Sequence, residues 1–117
     1  MNQAHIALTA AQARLAQAAP LPFAVLMQHG SMSVELFAPQ NSDTQQPHQQ
    51  DELYVIVSGT ATLYRDGERI ACQASDVLFV PAGMEHRFED FTADFSTWVI
   101  FYGPNGGEPS NPPALPL

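Results

Sequence analysis

Apolar positions in this chain come in short runs broken by turn residues. LYVIVS (53–58) is β-branched and aromatic and closes at Gly59, the composition of a strand with a turn behind it. FAVLMQ (23–28) and SVELF (33–37) flank HGSMS, a turn. ATLYRDGERIA (61–71) carries Asp66-Gly67 between two extended runs. That dipeptide predicts a two-residue hairpin, because a type I′ turn needs positive φ at both positions. DVLFV (76–80) ends at Pro81, and HRFEDF (86–91) and STWVIFY (96–102) follow. Strands at this spacing, without helical crossovers between them, predict an all-β sandwich or barrel.

The flanks read differently. TAAQARLAQAA (9–19) favours helix by composition, with Thr9 as its cap and Pro20 and Pro22 as its stop. So short a helix needs packing to persist. From Gly103 the chain turns rich in proline and glycine, the composition of a tail without a core of its own. The expected organisation is an N-terminal helical segment (1–22), a barrel (23–104) and a tail (105–117). In strand 53–58 both alternating faces are apolar, Tyr54 and Ile56 on one, Leu53, Val55 and Val57 on the other, and strand 97–102 behaves alike. A sheet with one face in water alternates, so the N-terminal segment, a second sheet or another subunit covers the second face. A homodimer is the expectation.

Charge narrows the partners. Twelve acids stand against four arginines and no lysine, a net charge of −8. That balance repels a phosphate backbone and an anionic membrane, so neither nucleic acid nor membrane is an expected partner. Its ordinary meaning is solubility. A length of 117 residues fits one domain. No apolar run approaches a membrane span, and no basic region precedes an apolar stretch at the start. One cysteine, Cys72, leaves no internal disulfide and reads as a small buried hydrophobe. The expected compartment is the cytoplasm.

PHQQDE (47–52) places His48 four residues before Glu52. In a straight strand they would stand about 13 Å apart, whereas metal ligands share one ion at roughly 2.0–2.2 Å. They meet only if the polar QQD (49–51) reverses the chain. The construction recurs at Pro81-Ala82-Gly83, a turn from which the chain restarts at His86. Two turns that each deliver a ligand-type residue point to a metal site or to a hydrogen-bonded polar rim.

These residues carry a resemblance to the cupins, specifically to small single-domain bacterial cupins of the conserved-barrel (cupin 2) type in the RmlC-like superfamily. The first cupin motif is glycine, five residues, His-x-His, three or four residues, Glu, six residues, glycine, and His48, Glu52 and Gly59 match it. The second is glycine, five residues, Pro-x-Gly, two residues, His, three residues, Asn, and Pro81, Gly83 and His86 match. Four positions depart: Gln40 and Ser75 replace glycines, Asp90 replaces the asparagine, and Gln46 stands where the first histidine belongs.

The resemblance implies a double-stranded β-helix (jelly-roll) barrel with His48, Glu52 and His86 as metal ligands. Gln46 becomes a fourth ligand or polar helper. Two imidazoles and one carboxylate suit iron, zinc, nickel or manganese, and ligand type alone does not choose among them. If Glu52 points inward, strand parity turns Tyr54, Ile56 and Ser58 inward with it, and Phe88 follows His86; Phe79 and Trp98 join the pocket lining as aromatics, with the phase of the Trp98 strand open. The implied function is metal-dependent binding of a small organic molecule, with dioxygenase or isomerase chemistry as the nearest enzyme classes. A non-enzymatic binding or sensory barrel, or a metal-free dimeric scaffold, are the rivals. His5 and His29 have no partner at metal-like spacing and read as surface residues or satisfied core groups. Glu85, Glu89, Asp90 and Asp94 read as a solvated rim.

Overall fold

The computed structural model describes residues 3–110. One helix, α1 (Leu8–Gln17), precedes eight strands: β1 (Phe23–His29), β2 (Met32–Phe37), β3 (Asp51–Ser58), β4 (Thr60–Arg65), β5 (Glu68–Gln73), β6 (Val77–Val80), β7 (His86–Glu89) and β8 (Ser96–Tyr102). They form two antiparallel sheets, a five-stranded one in the order β1-β2-β8-β3-β6 and a three-stranded one in the order β5-β4-β7. The Asp66-Gly67 turn has φ of 42° and 86°, both positive as a type I′ hairpin requires. Gly59 ends β3 at φ 74°, where a Cβ would come within 2.8 Å of the Phe95 Cα. Only glycine fits that crossing.

Strand parity builds the core. On β3, Glu52, Tyr54 and Ile56 point inward and are buried. They meet Val80 and Leu78 on β6 and Phe101, Val99 and Thr97 on β8. Leu63 and Phe88 face them from the smaller sheet, with Phe95 closing that end. A second cluster lies on the outside of the larger sheet, where Ala11 and Leu15 of α1 pack on Ala24, Leu26 and Leu36. That packing supports a helix of 10 residues, too short to persist alone in water.

Three expectations change here. The residue before the helix is Ala7, which offers no side-chain cap, and Thr9 sits inside the first turn. Trp98 lies on the outer side of β8, packed against the cluster beneath α1. Phe79 is 42% exposed on the outer side of β6. The inward register of β3 pairs Glu52 with Val80 and Tyr54 with Leu78, so Phe79, one residue off, must face out. Neither aromatic lines the interior. Of the tail, residues 111–117 lie outside the described residues. The part before them is tied down: Gly106 N donates to the Gln49 carbonyl (2.7 Å) and Glu108 N to Asp51 Oδ2 (2.8 Å). No helix among the described residues is long and apolar enough to cross a membrane.

Candidate metal centre

Two turns and one buried acid bring the ligand-type residues together. Gly83 N donates to the His48 carbonyl at 2.8 Å, which docks the 81–83 turn onto the bend at 49–50. Asp51, only 4% exposed, adds a second tie: its Oδ1 accepts from Ala82 N at 2.9 Å. The chain leaves the larger sheet on β6, crosses this turn and enters the smaller sheet on β7. His86, the first residue of β7, therefore faces Glu52 across the barrel.

The result is a compact cluster. One ligand atom each from His48, Glu52 and His86 lie within 4.8 Å of one another. Glu52 Oε1 stands 2.7 Å from His86 Nε2 and 3.2 Å from His48 Nδ1. Glu52 Oε2 is buried with no hydrogen-bond partner among the described residues. An unmatched carboxylate oxygen inside a protein is costly, and a bound cation would offset the cost.

The protonation pattern agrees. His86 Nδ1 lies 2.8 Å from the Met84 carbonyl. A carbonyl only accepts, so Nδ1 carries the hydrogen. The neutral ring would then present the Nε2 lone pair toward Glu52, held in place by the Met84 carbonyl as metal-ligating histidines are held by a partner on their other nitrogen. Without an ion the proton stays in the cluster instead. Burial works to lower the His86 pKa, but the hydrogen bond and charge of Glu52, with the Met84 carbonyl, raise it above the ordinary 6.5. Burial works to raise the Glu52 pKa, but its bonds to His48 and His86 hold it below the ordinary 4.5.

The neighbouring polar group is Gln45, a residue the sequence reading passed over. Its Oε1 lies 3.0 Å from His86 Nε2 and accepts from the Tyr54 hydroxyl at 3.2 Å. Gln46 instead is exposed, with its amide donating to the Thr44 carbonyl. Strand parity would put Gln46 on the side of His48, but residues 43–48 are not a strand. Asp43 sets the loop, accepting from Gln45 N (3.1 Å) and, across the barrel mouth, from Phe88 N (2.8 Å).

Tyr54, Ile56 and Phe88 stand inward as expected but are packed core, with Tyr54 edge-on to Phe88 at 4.8 Å. Burial, with Glu52 and Asp43 nearby, pushes the Tyr54 hydroxyl well above its ordinary pKa. The open space lies beside His48, a cavity of about 670 Å³ whose apolar wall includes Phe23, Phe37, Val99 and Phe101. Glu35 of β2 also lines it and drew no notice in the sequence. Burial and the charge of Glu52 raise its pKa while His48 works to lower it. His5 and His29 are exposed. Glu85 and Glu89 pair with Arg87, and Glu89 also with Arg69.

The family model of the cupin domain matches residues 33–97. The chain belongs to the cupin family. An uncharacterised protein of Streptomyces coelicolor is 38% identical over 76 residues, 63% of this cupin and 72% of that protein. The crystal structure of a cupin superfamily protein from Desulfitobacterium hafniense matches at TM-score 0.63 and 23% identity, covering 86% of this chain and 93% of that one. A cupin 2 conserved barrel domain protein from Salinispora arenicola matches at TM-score 0.59 and 24% identity, covering 69% and 74%. These two structures bear on the fold, the jelly-roll barrel of cupins.

Proposed function

We propose that this cupin holds one divalent metal ion on His48, Glu52 and His86 and binds a small organic molecule in the cavity beside it. The observation that carries the reading is Glu52: a carboxylate 1% exposed, flanked by two imidazoles, with one oxygen left without a partner among the described residues. The donor set is that of non-heme iron oxygenases and also of catalytic zinc. Such an ion, when bound, supplies a Lewis acid with open positions. The chain's own residues do the rest. Met84 fixes the His86 tautomer, Gln45 and Tyr54 orient polar groups at the site, and the loop anchored by Asp43 shields it from water. Dioxygenase or isomerase-type turnover is the enzymatic form of this reading.

Elemental analysis of untagged protein, purified without chelator, tests it beside a His86→Ala variant. The expected result is about one equivalent of metal, lost in the variant. Absence of metal from both, even after anaerobic reconstitution, would overturn it. A second copy is proposed to cover the outer face of the larger sheet. Beyond α1 that face leaves Leu53, Val55 and Ile100 half-buried and Val77 63% exposed, an apolar stretch of the kind that marks interaction sites. Light scattering at tens of micromolar should give a dimer mass, and a monomer mass would refute it.

A further inference from the structure

The cavity beside the metal centre has a one-sided charge. Glu35, Asp43 and His48 line it, and no arginine does. Lysine is absent from the chain. All four arginines are engaged elsewhere: Arg14 on the Val25 carbonyl, Arg65 on Glu68, Arg69 and Arg87 on Glu89. With Glu52 behind His48, three carboxylates outweigh the two charges of a divalent ion.

Two of those carboxylates are occupied. Asp43 accepts from Gln45 N and Phe88 N, and Glu52 belongs to the metal centre. Glu35 is different. It sits mid-strand on β2, opposite Val25 on one side and Val99 on the other. Its side chain is half-buried and has no hydrogen bond or ion pair among the described residues. Period-2 alternation would place a lone acid in an apolar strand on the solvent face. Here the acid faces the cavity, and burial of an unpaired carboxylate is unfavourable.

We propose that Glu35 is the specificity-determining residue of this cavity and that the site takes an organic amine. The ammonium donates to the Glu35 carboxylate while an apolar body lies against Phe37 and Phe101. The same wall rejects carboxylates and phosphates, which would meet Glu35 with no cationic side chain to offset it. This assignment rests on the reading of the cavity as a small-molecule site next to a bound ion.

Three matched probes test it by calorimetric titration at pH 7 into zinc-loaded protein: 2-phenylethylamine, 2-phenylethanol and phenylacetate. The amine should bind at least about tenfold more tightly than phenylacetate, the worth of one charge-assisted hydrogen bond, with the alcohol between. Glu35→Gln should remove the amine's advantage, and Glu35→Lys should pass it to phenylacetate. Zinc content and circular dichroism are measured on each sample. Phenylacetate binding as tightly as the amine to the unaltered protein, or no response of the ranking to Glu35, would overturn the assignment and leave the metal reading standing. Zinc lost on Glu35→Gln alone would make Glu35 a ligand of the ion and also overturn it. Zinc retained with no probe bound would overturn it together with the small-molecule reading. Zinc that fails to bind the unaltered protein would overturn the metal reading on which both depend.

Discussion

The two ends of the barrel are built from the same strands and do opposite things. Along β3 the inward positions run Glu52, Tyr54, Ile56, and along β7 they run His86, Phe88. At the Ile56 end Phe88 packs on Phe95 with ring centroids 4.9 Å apart, and Phe95 on Phe91 at 6.1 Å. That end is closed by apolar contact. At the Glu52 end the same inward direction carries a carboxylate, two imidazoles and a cavity. Tyr54 is the boundary, its ring packed on Phe88 and its hydroxyl donating to Gln45. Apolar packing therefore dominates one end and ligand-type side chains the other, four residues apart on one strand.

The largest expected effect separates the ends by substitution. Phe88→Ala empties the closed end and should cost about 3–5 kcal/mol in denaturant melts. Glu52→Gln should cost less than half of that in metal-free protein at pH 8. It removes one member of a pair whose net worth is small and lets His86 relax to its neutral form. The metal should be lost in Glu52→Gln and retained in folded Phe88→Ala. Equal destabilisation by both, with metal unaffected, would break the comparison.

Next in size is the response to chelation. An ion present at a hundred times its dissociation constant stabilises the folded state by about 2.7 kcal/mol, and a chelator should remove that increment. The pH dependence has opposite signs in the two forms. The raised pKa of His86 contributes stability to the metal-free protein that is fully present below the ordinary 6.5 and is lost as pH rises through the folded value. The lowered pKa of Glu52 contributes stability present above 4.5 and lost as pH falls through its folded value. The Glu52–His86 contribution to metal-free protein is thus greatest between those limits. Metal binding needs His86 deprotonated, so affinity rises with pH over the range where this contribution falls. Thermal melts with and without chelator should diverge from pH 6 to pH 8. A constant gap would contradict the role of His86.

The smallest effect belongs to the closed end. Ser75 has φ 77° where the resembling motif has glycine, and the left-handed region costs a side chain about 1–2 kcal/mol. Glycine returns part of that gain as unfolded-state entropy. Ser75→Gly should stabilise by about 0.5 kcal/mol in melts, without altering metal content.

The strands and the Asp66-Gly67 hairpin were legible from local signals, alternation and turn chemistry, and the coming together of His48, Glu52 and His86 from the spacing of the resembling motifs. Residues read by type without a fixed phase fared worse. Phe79 and Trp98 look like pocket residues by type, but their direction follows from the cross-sheet register, which sets Phe79 opposite Leu53 and Trp98 opposite Val55, both on the outer face. Gln46 was named because it stands where the resembling motif has its first histidine, but residues 43–48 form a loop in which Gln45 is the one that reaches His86. Glu35 was passed over because an acid in a half-apolar strand ordinarily faces water. Only the sheet order, with β2 beside β8, turns it toward the cavity.

X-ray absorption at the zinc edge, on protein loaded with one equivalent, tests the central claim most directly. Two imidazole rings and one carboxylate oxygen in the first shell, with one imidazole lost in His86→Ala, is the predicted result. A shell with sulfur, or one unchanged by His86→Ala, would contradict it and leave Glu52 Oε2 in need of another partner.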